Sequence, residues 1–148
     1  MKSKWLPAAL AALCLCPASA AEIALIATRD LAFGAFVAGT GSVTIPAVGA
    51  RSTSGGVFAL NSDGGSAAQF SVAGDEGATY AITLPADGTV FLGNGSSNMP
   101  VNRFVSSPSP GGTFFSTQVI SVGATLDVVE GQATGSYSGS FTVIVDYN

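Results

Sequence analysis

The sequence predicts an all-β protein, with short antiparallel strands folded into a sandwich or a barrel. Strand-like runs recur roughly every ten residues and are separated by turns rich in glycine, asparagine and aspartate. No stretch of comparable length shows the apolar periodicity of a helix. Residues 135–148 alternate large apolar and mostly polar side chains, as a half-buried strand does.

The N-terminal stretch is typical of a secretory signal peptide. A short basic region with two lysines precedes an apolar run over residues 5–16, which is too short to span a membrane. Residues 18–20 (Ala-Ser-Ala) give the small–x–small pattern that signal peptidase accepts. We therefore expect residues 1–20 to be removed by cleavage after Ala20, with Ala21 as the alternative.

Cysteine usage supports an exported chain without disulfides. Cys14 and Cys16, the two cysteines of the chain, both lie in the predicted signal peptide. A lipid-anchored cysteine needs a small residue before it, and leucine precedes each of these, which disfavours a lipoprotein. The predicted mature chain keeps 128 of the 148 residues, so packing and sheet pairing alone must stabilise it. That length favours a single domain.

The predicted mature chain is acidic. It contains three arginines and nine acidic residues, which gives a net charge of −6. An acidic surface without a basic patch argues against nucleic acid or anionic membranes as partners. The low content of charged residues, together with abundant Val, Phe, Ala, Gly and Ser, is typical of a folded β-protein.

Residues 21–30 form an N-terminal extension ahead of the body. Ile23, Leu25 and Ala27 share one face of a short predicted strand. Residues 28–30 (Thr-Arg-Asp) interrupt that face, which predicts a polar joint. The simplest interpretation is the first strand of the fold. A second interpretation depends on the resemblance described below.

The body, residues 31–148, is predicted to be a series of short strands. Val43 and Ile45 are expected to point inward, and Val101, Arg103 and Val105 are expected to share one face. Residues 48–56, 61–65 and 106–112 are predicted to be loops or turns. The predicted strands cover residues 42–46, 57–60, 67–73, 79–84, 89–92, 99–105, 113–122 and 123–129.

The stretch 135–148 carries the clearest strand pattern. Its large apolar face consists of Tyr137, Phe141, Val143, Val145 and Tyr147, with Gly139 as an interruption. Burial of these five side chains would contribute on the order of 10 kcal/mol before opposing terms, at about 1.5–3 kcal/mol each. The net stability of a whole domain is of the same order. We therefore expect this strand to be central to the core.

The residues of known catalytic chemistry are nearly absent. Histidine does not occur, and residues 21–148 contain neither lysine nor cysteine, so a serine nucleophile would lack its usual base. Four acidic residues lie at predicted turns and could hold calcium, but they match no calcium-loop pattern. A glycosidase-like carboxylate pair stays open from the sequence alone. These observations favour a structural or binding protein that has no enzyme activity, cofactor or metal. The four turn acids are Asp63, Asp75, Glu76 and Asp87.

Three short motifs, taken together in order and spacing, resemble a known family. They are Leu31-x-Phe33-Gly34, Gly123-x-Thr125-Leu126 and Gly135-x-Tyr137-x-Gly139-x-Phe141-x-Val143-x-Val145-x-Tyr147. They are similar to domain of unknown function family 4402, small exported β-proteins of Gram-negative bacteria. The resemblance extends over essentially the whole predicted mature chain.

The last stretch also resembles subunits of chaperone–usher pili and spore-coat-U-like domains. Tyr147 is the penultimate residue and Gly135 is fourteenth from the end, as in those subunits. The resemblance implies an immunoglobulin-like β-sandwich that lacks its last strand. In those proteins a periplasmic chaperone recognises the final strand, and the N-terminal extension of a neighbouring subunit fills the gap.

Applied to this chain, the resemblance implies a fimbrial or pilus-like subunit assembled by strand donation in the periplasm, at the cell surface or outside the cell. Partners would be other copies or related subunits, and a periplasmic chaperone. The implied strand-pairing residues are Ile23, Leu25, Ala27, Gly135, Tyr137, Phe141, Val143, Val145 and Tyr147, with residues 28–30 as the hinge.

The chain departs from the pilus-subunit pattern in three ways. It has no cysteine pair in the body, its apolar N-terminal segment is short, and no glycine lies within that segment. That segment could therefore pair within its own subunit. The alternative expectation is a self-contained secreted or cell-surface domain that binds a ligand or partner without polymerising.

Overall fold

The chain forms twelve β-strands and no helix in the computed structural model, which describes residues 22–60 and 64–148. The predicted signal peptide and residues 61–63 of the predicted turn lie outside the described residues. Among those described, no helix is long and apolar enough to cross a membrane. The strands are β1 Ala24–Arg29, β2 Phe36–Val37, β3 Gly41–Ile45, β4 Ser52–Gly55, β5 Phe58–Ala59, β6 Ala68–Ala73, β7 Thr79–Thr83, β8 Val90–Gly93, β9 Asn98–Ser107, β10 Gly111–Thr113, β11 Gln118–Val128 and β12 Ile144–Tyr147.

The large sheet is built around β11. One edge of β11 pairs with β9, which in turn pairs with β8. The other edge pairs with β6 along its first half and with β3 along its second half, and these lead outward to β1 and β4. All these pairings are antiparallel. The central strand of the fold is therefore β11 and not the last strand.

A second sheet, in the order β10–β7–β12, covers only part of the large sheet. Side chains from β7 and β12 pack against side chains from β6 and β11 in one buried cluster, which we call the closed core. The predicted all-β antiparallel β-sandwich is thereby confirmed. A ribbon of two short strands, β2 and β5, lies apart from both sheets.

The other half of the large sheet has a different cover. Its buried side chains from β3, β8, β9 and β11 form a second cluster, which we call the open core. Within the described residues, the three-stranded sheet contributes nothing to this cluster. Its cover consists of Val57 and of side chains from two largely irregular segments, residues 31–36 and 137–141.

The predicted strand boundary at Gly123 is wrong. Residues 113–122 and 123–129 were expected to be separate strands, but β11 begins at Gln118 and runs unbroken through Gly123. Thr113 ends β10, and residues 114–117 lie between the two strands. At this position the partner on one edge changes from β6 to β3, and a Cβ atom would meet the carbonyl of Ile45. Glycine here is required by a close approach of the backbone and does not mark a turn. The inward positions of Leu126 and Val128 are confirmed.

The predicted face of β9 was wrong beyond Val101. Arg103 has a positive φ of 53°, and β9 contains an extra residue opposite Gly123–Thr125, which is a β-bulge. Because the bulge shifts the alternation, Phe104 packs against the core, whereas Arg103 and Val105 are exposed. Asp87 fixes the bulge by accepting a hydrogen bond from the backbone N–H of Arg103 at 2.8 Å.

The sequence also missed β4. Its residues, Ser-Thr-Ser-Gly, lie in the stretch that was predicted to be a loop, and all four are exposed. They pair with β3, and the Ser42 and Ser54 hydroxyls lie 2.7 Å apart across the two strands. The pattern gave no strand signal because neither face of β4 is apolar.

Candidate functional site

A groove opens beside the open core, between two largely irregular segments of the chain. Its volume is about 980 Å³. One wall is residues 29–38, and the other is residues 132–141. The floor is the large sheet, with Val90, Met99 and Leu126 among its side chains.

The groove is apolar inside and polar at its rim. Floor residues such as Leu126 are almost completely buried. Half-buried large side chains line the sides, and uncharged polar residues of the stretch 132–140 follow the rim. Arg29 and Asp30 are the charged residues among the lining, and both lie in the first wall. The half-buried side chains are those of Leu31, Phe36, Leu92, Phe104, Tyr137 and Phe141.

Residues 30–38 of the first wall form a strap across the open core. Phe33 inserts its ring into the core and is 6% exposed. Ala32 exchanges two backbone hydrogen bonds with Ser66, each 2.8 Å long. Further along, β2 of the strap pairs with β5.

Arg51 holds the strap between these two attachments. Its Nη1 donates hydrogen bonds to the carbonyls of Phe33 at 2.9 Å and Ala35 at 3.1 Å. Its Nη2 donates to the carbonyl of Leu60 at 2.8 Å. Sequence reasoning gave Arg51 no role, because an isolated arginine in a glycine- and serine-rich stretch carries no motif. Only the fold brings its three acceptors together.

The second wall, residues 132–141, continues through residues 142–143 into β12. Ser138 exchanges two backbone hydrogen bonds with Gly93, and this is the one β-bridge in the described stretch 132–143. The Tyr137 hydroxyl donates to the carbonyl of Ala133 at 2.7 Å. A Cβ atom on Gly139 would meet the carbonyl of Phe91, so this wall lies close to the edge of the large sheet.

The predicted C-terminal column keeps its alternation, although its regular strand is short. Val145 is 0% exposed and belongs to the closed core, against which Phe141, Val143 and Tyr147 also pack. Tyr137 packs against the open core. Only residues 144–147 form a regular strand, and β12 lies at an edge of its sheet. Gly135 is exposed and has a φ of 138°.

The predicted N-terminal residues lie in and beside β1. Ile23 is 7% exposed and Leu25 is half-buried, and both pack in the closed core. Ala27 is exposed and lies at the end of the groove. Within the single chain, β1 pairs with β6. The register shifts around Thr28, which places a β-bulge at the predicted polar joint.

The two ends of the chain approach each other without sharing a ladder. Side chains of β1 and of β12 belong to the same closed core, but the two strands lie in different sheets. Beyond β1, the chain continues as the first wall of the groove, and the second wall leads into β12. The space between these two segments is therefore filled by side chains in the closed core and remains open at the groove.

The comparison with protein families agrees with these motifs. A family model described as Domain of unknown function (DUF4402) matches residues 23–147. The chain belongs to the DUF4402 family. The match includes β1, both walls of the groove and β12, so these are parts of the DUF4402 domain and not additions to it. No curated protein matches the chain, and no solved structure matches it.

Proposed function

We propose that this DUF4402 protein is an exported, non-enzymatic structural subunit of pilus-like type that assembles by β-strand donation. The observation that carries the proposal is the apolar groove over the open core. One half of the large sheet is covered by a second sheet, whereas the other half is covered by the two groove walls. A strand from another chain would fill the groove between these two walls.

The second wall supports the role of strand acceptor. Residues 137–143 continue the inward–outward alternation of β12, but they contain only the one bridge at Ser138. A strand laid beside them would provide backbone partners, and its alternate side chains would enter the groove. This is the β-augmentation mode of recognition, in which main-chain hydrogen bonds give affinity and side-chain pockets give specificity.

The N-terminal segment supports the role of donor. β1 is an edge strand, and a bulge at Thr28 lies near its end. Ile23, just before β1, and Leu25, within it, both pack in the closed core. An incoming copy of residues 22–30 would lie in the groove of the next chain, beside residues 137–143, with Ile23 and Leu25 directed inward. Head-to-tail donation of this kind does not close on itself, so it builds a filament.

The pairing of β1 within its own chain favours a second candidate. Five residues of β1 are in register with β6, and Ile23 is buried. In this second candidate β1 stays in place and the protein is a self-contained exported domain. Its groove would bind an extended segment of a different protein without polymerising.

The oligomeric state of the mature chain distinguishes the two candidates. We expect unheated samples in SDS to show ladders that disappear when residues 21–30 are deleted or when Ile23 and Leu25 are both changed to serine. Ile26→Ser is the matched control, because Ile26 lies on the same strand and is 63% exposed. Ladders should persist in this control. A mature chain that remains monomeric, and that merely loses stability on truncation, would rule out donation.

A further inference from the structure

We propose that Arg51 is a positioning residue that keeps the first wall of the groove in the shape that accepts a strand. The inference rests on the proposed function and adds a residue that does not touch the incoming strand. Arg51 is not among the groove lining, and it acts through the backbone of residues 33–35.

Among the described residues, the strap has regular backbone pairing at two places. Ala32 pairs with Ser66 on one side, and β2 pairs with β5 on the other. Between them, the chain passes through Gly34, whose φ of 77° favours glycine and bends the strap. The carbonyls on each side of this bend are the ones that Arg51 binds.

The third hydrogen bond of Arg51 connects the strap to the residue that follows β5. The carbonyl of Leu60 accepts from Nη2 of Arg51, and the Leu60 N–H donates to the carbonyl of Ala35 at 2.9 Å. One guanidinium therefore joins both sides of the bend to the end of β5. The planar fork of arginine can reach these three acceptors together, whereas the single ammonium of lysine cannot reproduce that geometry.

The shape of the strap matters because three of its side chains form the groove. Phe33 anchors the strap in the open core, and Leu31 and Phe36 line the wall on either side of the Arg51 contacts. A wall that is already ordered adds no ordering cost when a strand binds. Loss of the three bonds would leave the wall to be ordered during binding, so affinity falls.

The test compares Arg51→Gln and Arg51→Lys with Arg103→Gln in the mature chain. Arg103 is the matched control, because its guanidinium binds a side chain, that of Asp127 at 3.2 Å, at an exposed site away from the strap. The probe is a fluorescent peptide with the sequence of residues 22–30. Its affinity is measured by anisotropy, and hydrogen–deuterium exchange is followed in residues 33–37 and 58–60.

We expect Arg51→Gln to weaken peptide binding about tenfold relative to Arg103→Gln, with faster exchange confined to the strap and β5, and Arg51→Lys to fall between them. Equal binding by the two glutamine variants would overturn the inference, even if exchange became faster, because Arg51 would then be only structural. Equal exchange in the strap would overturn it as well. If the monomeric fraction of the wild-type chain takes up no peptide, the proposed function fails and the inference fails with it. The wild-type result therefore separates the two failures.

Discussion

Tyr147 shows at the scale of a single residue why the last stretch carries such a strong pattern. Its ring packs edge-on against Phe114, with 5.8 Å between the ring centroids. Its hydroxyl accepts a hydrogen bond from the backbone N–H of Asp75 at 2.9 Å. Tyr147 thus fixes β12 to the turn that follows β6. The sequence identified the apolar face of this residue, but it gave no sign of the polar contact, which depends on a partner 72 positions away.

Tyr80 has a comparable role at the centre of the closed core. Its ring lies 4.4 Å from that of Phe114, and its hydroxyl donates to Oε1 of Gln118 at 3.0 Å. Burial raises the pKa of the Tyr80 phenol. The inward position of Tyr80 was predictable from the alternation in β7. Its polar partner was not, because Gln118 lies in a different strand.

Substitutions of Tyr147 should separate the ring from its hydroxyl. Tyr147→Phe removes one hydrogen bond and should lower the free energy of unfolding by about 1 kcal/mol. Tyr147→Ala also removes the packed ring and should lower it by about 3 kcal/mol or more. Urea unfolding of the mature chain measures both values. Equal losses for the two variants would show that the ring contributes nothing to the packing of β12.

At the scale of elements, the strands that could be predicted are those with one apolar face. The inward residues of β3, β6 and β7 follow from alternation alone, as Val43 and Val72 illustrate with complete burial. The exposed strand β4 was missed because its residues show no apolar alternation. The bulge at Arg103 was missed because no pattern of apolar residues marks it. Each exists through contact with a distant segment, β3 in the first case and Asp87 in the second.

A substitution of Gly123 would measure how much the close approach of β3 to β11 contributes to stability. We expect Gly123→Ala to lower the free energy of unfolding by about 1–3 kcal/mol, because the added methyl group meets the backbone at the end of β3. Gly64→Ala is the control, since a methyl group there meets nothing within 4 Å and should change stability by at most about 0.5 kcal/mol. Thermal or urea unfolding gives both values. If the two variants were equally stable, the close approach of β3 to β11 would be wrong.

At the scale of the whole molecule, the sandwich is complete in one half and open in the other. The sequence predicted the fold class because that depends on local periodicity. It could not predict the groove, because the groove arises where β6 and β3 share one edge of β11 while the second sheet covers only the β6 side. The apolar pattern of residues 135–148 also predicted that the final strand is central to the core, but β12 lies at the edge of its sheet. That edge position leaves β12 and the wall before it able to accept a further strand.

Hydrogen–deuterium exchange tests the acceptor role of the groove most directly. A peptide with the sequence of residues 22–30 is added to the mature chain, and exchange of the backbone amides in residues 137–143 is followed. A peptide with serine in place of Ile23 and Leu25 is the control. We predict that the native peptide slows exchange in this stretch and that the serine peptide does not, because only the first can seat its side chains in the groove. Unchanged exchange in residues 137–143 at saturating native peptide would contradict the account.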